Sequence, residues 1–280
     1  MGRPRRSGWL VLLTLVLAAC GTGNSGTGGQ DTSKQTPTSS TIGKEVAGLV
    51  DLGAGRKVFA ECTGSGQPTI VLESGDETDH SQWRLVAPDL AAHTRVCSYD
   101  RFGNGASDAA TGCRHMNDLR GDLEALLRVV SEDGPYVLVG TSGGGYLMAG
   151  FAYAHPQDVV GMVFVETPHA IIPDQAPASL LAELKCDSPE NQERRDYVNV
   201  EGEAWSHRHK IGNIPMTVIT NNYDGNYSNE EERTNVAGQK GWLVLSPQAR
   251  QIVVTSGHNV PENEPDLVVK EILRVLKAAR

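Results

Sequence analysis

The stretch Pro135-Tyr-Val-Leu-Val-Gly-Thr-Ser-Gly-Gly-Gly-Tyr-Leu-Met-Ala-Gly-Phe-Ala-Tyr-Ala154 decides the fold. Tyr136 to Val139 is an apolar, β-branched run of strand length, and the small residues that follow the glycines are compatible with a helix. Between them, Gly140-Thr141-Ser142-Gly143-Gly144 fits the pattern G-x-S-x-G. A sharp strand-to-helix turn of this kind pushes its serine into sparsely allowed backbone space, and the flanking glycines remove the Cβ atoms that would clash there. The hydroxyl then stands at a helix N-terminus, where unpaired N–H groups and the helix dipole favour negative charge. No other serine in the chain has glycines at both −2 and +2.

Outward from this turn, strand and helix patterns alternate. Residues 46–52 and 57–62 read as strands joined by Gly53-Ala54-Gly55, and 69–73 as a third strand leading into Ser74-Gly75-Asp76-Glu77-Thr78. Residues 81–92 have helical spacing with Trp83, Leu85, Val86 and Leu90 as the apolar side, and 94–99 is the next strand. Residues 116–130 form a strongly amphipathic helix through Leu119, Leu123, Leu126 and Leu127. After the serine turn, 159–166 is a buried strand ending in an acid, 214–220 and 251–255 are further strands, and 229–245 and 266–279 are helices. Residues 170–213 break the rhythm: they are polar, with short helical pieces such as 179–185, and suit a cap over the site. Strands separated by helices imply a mostly parallel, doubly wound α/β sheet.

The leader is informative. Arg3, Arg5 and Arg6 form a positive region, Trp9 to Leu17 an apolar one, and Ala18-Ala19 a small-residue site, so residues 1–19 read as an export signal too short for a stable membrane span. Leu17-Ala18-Ala19-Cys20-Gly21 resembles the lipobox of bacterial lipoproteins, which implies lipidation of Cys20 and anchoring on the outer face of the cell membrane; plain secretion is the alternative. Residues 20–43 contain too little apolar surface to fold and read as a tether, leaving 44–280 as one domain. Setting the leader aside removes three arginines and no acid, taking the net charge from −9 to −12, which argues against a nucleic-acid partner. Four cysteines remain beyond Cys20, and outside the cytoplasm they suggest disulfides; the absence of C-x-x-C argues against zinc.

A serine hydroxyl needs a base, and the base an acid that fixes its tautomer. His258 follows an apolar strand in the loop before the last helix and suits the base. The other histidines fall in loops, helix ends or the cap, and His207 and His209, two apart, read as solvated. Two residues compete for the acid. Glu166 closes an apolar strand and is preferred; Asp224 lies in the turn-forming run Asn221-Asn-Tyr-Asp-Gly-Asn226 and is the alternative. The backbone N–H of Gly143, paired with that of Asp76 in the loop after the third strand, would form an oxyanion hole. A carboxylate beside a developing oxyanion is unfavourable unless it points away.

Val71-Leu-Glu-Ser-Gly75, Trp83, Ser98-Tyr-Asp-Arg-Phe-Gly-Asn-Gly-Ala-Ser-Asp108, Gly140-Thr-Ser-Gly-Gly144 and Ser256-Gly-His258 together resemble the α/β-hydrolase superfamily, in its single-domain esterase-like branch, from about Val46 to the end. The resemblance implies an eight-stranded, mostly parallel sheet with helices on both faces and a cap inserted after the sixth strand. It puts Ser142 at the nucleophile position and His258 at the base, in the order serine, acid, histidine, and allows an acid after either the sixth or the seventh strand. It also implies a structural role for Asp100 and Arg101. The chain departs from the usual pattern in carrying Ser74-Gly75 where His-Gly is common, and Thr141 where histidine is frequent before the nucleophile. On this fold Cys113 and Cys186 fall in a post-strand loop and the cap and are expected to pair, with Cys62 and Cys97, on neighbouring strands, as a second pair. The implied activity is hydrolysis of a small-molecule carboxylic ester by a monomeric serine hydrolase without metal or organic cofactor. A peptidase or amidase on the same machinery, or a non-catalytic binding lipoprotein, are the rival readings.

Overall fold

The computed structural model describes residues 45–130, 132–170, 174, 176–222 and 230–280. The signal, the lipobox with Cys20, and Asp224 therefore lie outside the described residues. Eight strands form one sheet among them: β1 (Val46–Asp51), β2 (Lys57–Thr63), β3 (Thr69–Glu73), β4 (Val96–Tyr99), β5 (Tyr136–Thr141), β6 (Val159–Val165), β7 (Met216–Asn221) and β8 (Ala249–Val254). Their spatial order is β1-β2-β4-β3-β5-β6-β7-β8. The β1–β2 hairpin is antiparallel, β2 pairs antiparallel with β4, and every pairing from β4 across to β8 is parallel.

The central strands are apolar on both faces because both faces are covered, as parallel sheets require. Val71, Leu138, Met162 and Phe164 point into one layer, against α2 (Met116–Val129), α3 (Gly144–Ala154) and α5 (Tyr197–Ser206). Their neighbours Ile70, Leu72, Val137, Val139, Val163 and Val165 point into the other, against α1 (Ala87–Ala91) and α8 (Pro265–Ala279). The sheet thus carries α3 behind the serine turn while the C-terminal ends of β3, β5, β6 and β8 converge on one edge, the place where open α/β sheets bind ligands.

Three elements differ from the sequence-based expectation. The helix expected over 81–92 is a 3₁₀ turn, His80–Trp83, followed by α1, whose first turn holds Pro88; proline lacks the N–H that a continuous helix would need there. Leu85, expected on the apolar side, is half-exposed, while Trp83, Val86 and Leu90 are buried. The helix expected over 229–245 is α6 (Glu230–Gln239) continued by a 3₁₀ segment, Lys240–Leu245, which turns Trp242 and Leu245 into the core. Between β6 and β7, besides α4 (Ala178–Glu183), the insertion contains α5, which had not been expected in a stretch so polar. The Asp196 side chain caps α5 by accepting from Asn199 N–H at 3.3 Å, and Tyr197, Val200 and Ala204 bury one side of it.

Both disulfides form. Cys62 and Cys97 face each other in register across β2 and β4 and are bonded. Cys113 is bonded to Cys186, tying the loop before α2 to the insertion. The same two segments share a small parallel bridge, in which Arg114 N–H donates to Arg194 C=O at 2.8 Å and Asp196 N–H to Arg114 C=O at 2.9 Å. The Cys113–Cys186 bond closes 73 residues of chain, a length over which removing a cross-link destabilises by roughly 2 to 5 kcal/mol. Replacing both cysteines by serine is expected to lower the urea unfolding midpoint accordingly; an unchanged midpoint would show that the bridge and core hold the insertion without it.

Candidate active site

Strand β5 ends at Thr141 and α3 begins at Gly144, so Ser142 has to turn the chain within two residues. It does so at a φ of +49°, in the left-handed region. Its N–H is held by Val165 C=O at 2.8 Å and its C=O by Gly145 N–H at 3.1 Å. The glycines are required by space. A Cβ on Gly140 would lie 2.7 Å from Gly145 Cα, and one on Gly144 would run into Ser74 C=O and, at 2.8 Å, the Glu73 side chain. The serine turn can fold only where three backbone segments come this close.

His258 reaches Ser142 from the loop after β8. Its Nε2 is 3.2 Å from Ser142 Oγ, and its Nδ1 is 3.5 Å from Glu166 Oε2. The loop is shaped by Asn221 at the end of β7, whose Oδ1 accepts from Ser256 N–H at 2.8 Å and Gly257 N–H at 3.2 Å. Asn263 Nδ2 donates to Ser256 C=O at 2.7 Å from the far side. Glu166 follows β6, is buried, and itself has a left-handed backbone, at a φ of +51°. Its Oε1 accepts from Asn221 N–H at 2.5 Å and Gln239 Nε2 at 3.0 Å, which leaves Oε2 turned toward the imidazole. A carboxylate at Nδ1 favours the tautomer with the proton there, so Nε2 presents a lone pair to the serine. The hydrogen bond to Glu166 raises the His258 pKa; burial opposes it, and the charges of Glu166 and Asp76 add to the rise.

The turn after β3 closes the third side. Arg101 donates to Ser74 C=O at 2.7 Å and Gly75 C=O at 2.6 Å, Gln82 Oε1 accepts from Gly75 N–H at 2.9 Å, and Gln82 Nε2 reaches Asn259, next to His258, at 3.3 Å. Asp76 is thereby pressed onto Ser142 and Gly143: a Cβ on Gly75 would lie 3.3 Å from Ser142 Cβ, and the Asp76 carboxylate fills the space a Cβ on Gly143 would take. Neither the Asp76 nor the Gly143 N–H has an acceptor among the described residues. The side chain of Asp76 does not point away, as the charge argument had asked. It stays beside Gly143 and is paired with Arg195 from the insertion.

Residues 68–184 match the family described as alpha/beta hydrolase fold. The structure aligns, at a TM-score of 0.61 and 20% identity, with a thermophilic esterase from Thermogutta terrifontis, covering 84% of this chain and 99% of that one. The chain has the α/β-hydrolase fold. An enol-lactonase from Burkholderia xenovorans LB400 is also similar, with a TM-score of 0.63, 18% identity and coverage of 80% and 98%. In sequence, an uncharacterized protein of Bacillus subtilis, YqjL, is 25% identical over 230 residues, 77% of this chain and 86% of its own.

Within this α/β-hydrolase fold the structure brings together Ser142, His258, Glu166, Gly143 and Asp76, all five singled out from sequence. Sequence reasoning missed the residues that hold them: Asn221, Gln239, Arg195, and Glu193, whose Oε1 accepts from Glu77 N–H at 2.8 Å in the turn after β3. Asn221 had been read only as part of a turn, although an asparagine closing a buried strand was a usable signal. Among the described residues, two groups have donor atoms close enough to share an ion, Asp79 with His80 and Asp100, and Cys113 with His115 and Asp196. In the first, Asp100 already accepts from His80 N–H, His80 Nδ1 and Ala106 N–H; in the second the sulfur is in a disulfide. The carboxylate at Nδ1 has a measurable consequence: the His258 ring, followed by NMR, is expected to titrate above 6.5, the ordinary histidine value, and to move down in Glu166→Gln. An unmoved titration in that variant would mean the carboxylate does not act on the imidazole.

Proposed function

We propose that this chain is an exported, membrane-tethered serine hydrolase that cleaves carboxylic esters through an acyl-enzyme. The observation that carries the reading is the convergence of Ser142 Oγ, His258 and Glu166 beside the Gly143 and Asp76 N–H groups, which have no acceptor among the described residues. In the proposed cycle His258 Nε2 takes the hydroxyl proton as Ser142 Oγ attacks the ester carbonyl carbon. Glu166 stabilises the imidazolium and keeps its orientation. The carbonyl oxygen takes the negative charge between Gly143 and Asp76 N–H, donors that are fixed before the charge forms and need no reorganisation. Collapse of the tetrahedral adduct breaks the C–O bond, and His258 passes its proton to the departing alkoxide. Water then repeats the sequence on the acyl-serine and releases the carboxylic acid.

The similar folds of an esterase and an enol-lactonase support an ester as the scissile bond. The leader and Cys20 support export with a lipid anchor, and two disulfides suit an oxidising compartment. A monomer acting on a small-molecule substrate, with no cofactor in any step, completes the reading.

With short p-nitrophenyl esters, Ser142→Ala is expected to be inactive and Glu166→Gln to lose roughly 10³-fold or more in kcat, with Asp224→Asn close to wild type. Since the base works when neutral and its pKa is raised, kcat/KM should rise with pH through an acid limb placed above 6.5, and Glu166→Gln should move that limb down. A collapse in Asp224→Asn with an active Glu166→Gln would reverse the assignment of the acid. Cys20→Ser should shift the protein from the membrane to the soluble exported fraction on fractionation; unchanged partition would remove the anchor.

A further inference from the structure

A carboxylate beside a forming oxyanion is an electrostatic liability, and this chain places one there. Asp76 lies against Gly143, and its side chain is about one-third exposed. The compensating charge comes from the insertion. Arg195 is 1% exposed; its Nη1 donates to Asp76 Oδ1 and its Nη2 to Gly143 C=O at 3.3 Å. One guanidinium therefore holds both sides of the proposed oxyanion hole, the turn after β3 and the serine turn.

Arg195 is itself fixed. Its N–H donates to Asn191 Oδ1 at 3.2 Å, its C=O accepts from Asn191 Nδ2 at 2.7 Å, and its guanidinium stacks 4.9 Å over the Tyr197 ring. The Cys113–Cys186 bond and the Arg114 bridge hold the same segment from the other side. Such rigidity exceeds what a surface ion pair has, and a guanidinium with fixed donors suits two acceptors held at once.

We propose that Arg195 is a positioning residue for the reaction: it neutralises Asp76 and seats it against Gly143, so that a turn bearing a carboxylate can form one side of an oxyanion hole. The role rests on the hydrolase reading of Ser142. The charged groups around the guanidinium are Asp76, Glu193, Glu201 and Arg101, and those around the carboxylate are Arg195, Arg101, Glu77 and His258. Removing Arg195 alone leaves Asp76 unpaired next to the charge that develops in the transition state. Removing both charges together relieves the repulsion. A merely structural role for Arg195 predicts no such relief.

The test is a double-mutant cycle on the purified full chain, reading p-nitrophenyl ester turnover, its pH profile, and labelling of Ser142 by a fluorophosphonate. Arg195→Met is expected to lose about 10²-fold in kcat with KM within about threefold, since the lost interaction matters mainly in the transition state. Asp76→Asn should lose less, the double variant should regain at least about tenfold over Arg195→Met, and Arg195→Lys should fall between wild type and Arg195→Met. The acid limb set by His258 should move up in Arg195→Met, where Asp76 loses its bonded cation and keeps only the more distant Arg101, and return in the double variant. Full activity in Arg195→Met, or a folded double variant no better than it, overturns the proposal while leaving the hydrolase reading intact. A wild type that neither turns over nor labels overturns both. Should Arg195→Met not fold, Asp76→Asn decides: its acid limb moves to lower pH if the carboxylate acts on the site, and an unmoved limb overturns the proposal.

Discussion

The structure depends on one steric constraint, the close approach of three backbone segments around Ser142. The end of β5, the start of α3 and the turn after β3 meet with no room for a Cβ at residues 140, 143 or 144. A left-handed serine is a strained residue, and it persists only where its surroundings over-determine it. Here they do: β5 is buried along its length, α3 is apolar nearly all round, and the Val165 carbonyl takes the serine N–H. The rigidity of the buried central strands is what lets an unfavourable φ at Ser142 place a hydroxyl at a helix N-terminus.

The second requirement is electrostatic. Close packing brings carboxylates into the interior, and each is matched. Burial pushes the Glu73 carboxyl up in pKa against the pull of Arg101. Burial acts the same way on Glu193 and is the largest single influence, but there Arg101, Arg195 and the Glu77 N–H together outweigh it, and the carboxyl is held well below its usual range. The pairing is reciprocal across the boundary between core and insertion. Arg101, from the loop after β4, grips Glu193 of the insertion at 2.6 and 2.7 Å, while Arg195 of the insertion grips Asp76 of the core. Glu193 also accepts from Glu77 N–H at 2.8 Å and Asn104 Nδ2 at 2.9 Å, so one insertion residue holds both the turn after β3 and the loop after β4. Truncating one partner of such a buried pair leaves an uncompensated charge, a far larger loss than the pair's own net contribution.

What could be read in the sequence follows from which interactions are local. The serine turn is legible because its glycines answer to sterics within five residues, and the strands because a covered parallel sheet writes itself as apolar runs. Glu166 was legible because it closes an apolar strand, and His258 because it follows one in the loop before the last helix. Arg195 and Glu193 were not: nothing near them in sequence distinguishes them from Arg194 or Glu190, and their partners lie about a hundred residues away. The failure at 81–92 was local and avoidable, since Pro88 argued for a break. The failure to see α5 was of another kind. Its apolar face is short, Tyr197, Val200 and Ala204 with Trp205 packed edge-on against Trp242, and Cys113–Cys186 and the Arg114 bridge tie the chain before it to the core.

That difference bears on how the insertion works. A lid that opens needs few ties to the body it covers, drawn from the weaker end of the stability range. Segment 186–197 has the opposite character: a disulfide at one end, backbone bonds to Arg114, and two arginine–carboxylate pairs with the core, Arg101–Glu193 fully buried and Arg195–Asp76 with only its carboxylate partly exposed. Swinging it away would separate both pairs at once and strip the turn after β3 of Glu193 and Arg195 together. The segment is therefore a fixed wall of the site, and the donors beside Ser142 owe their position to it as much as to the sheet.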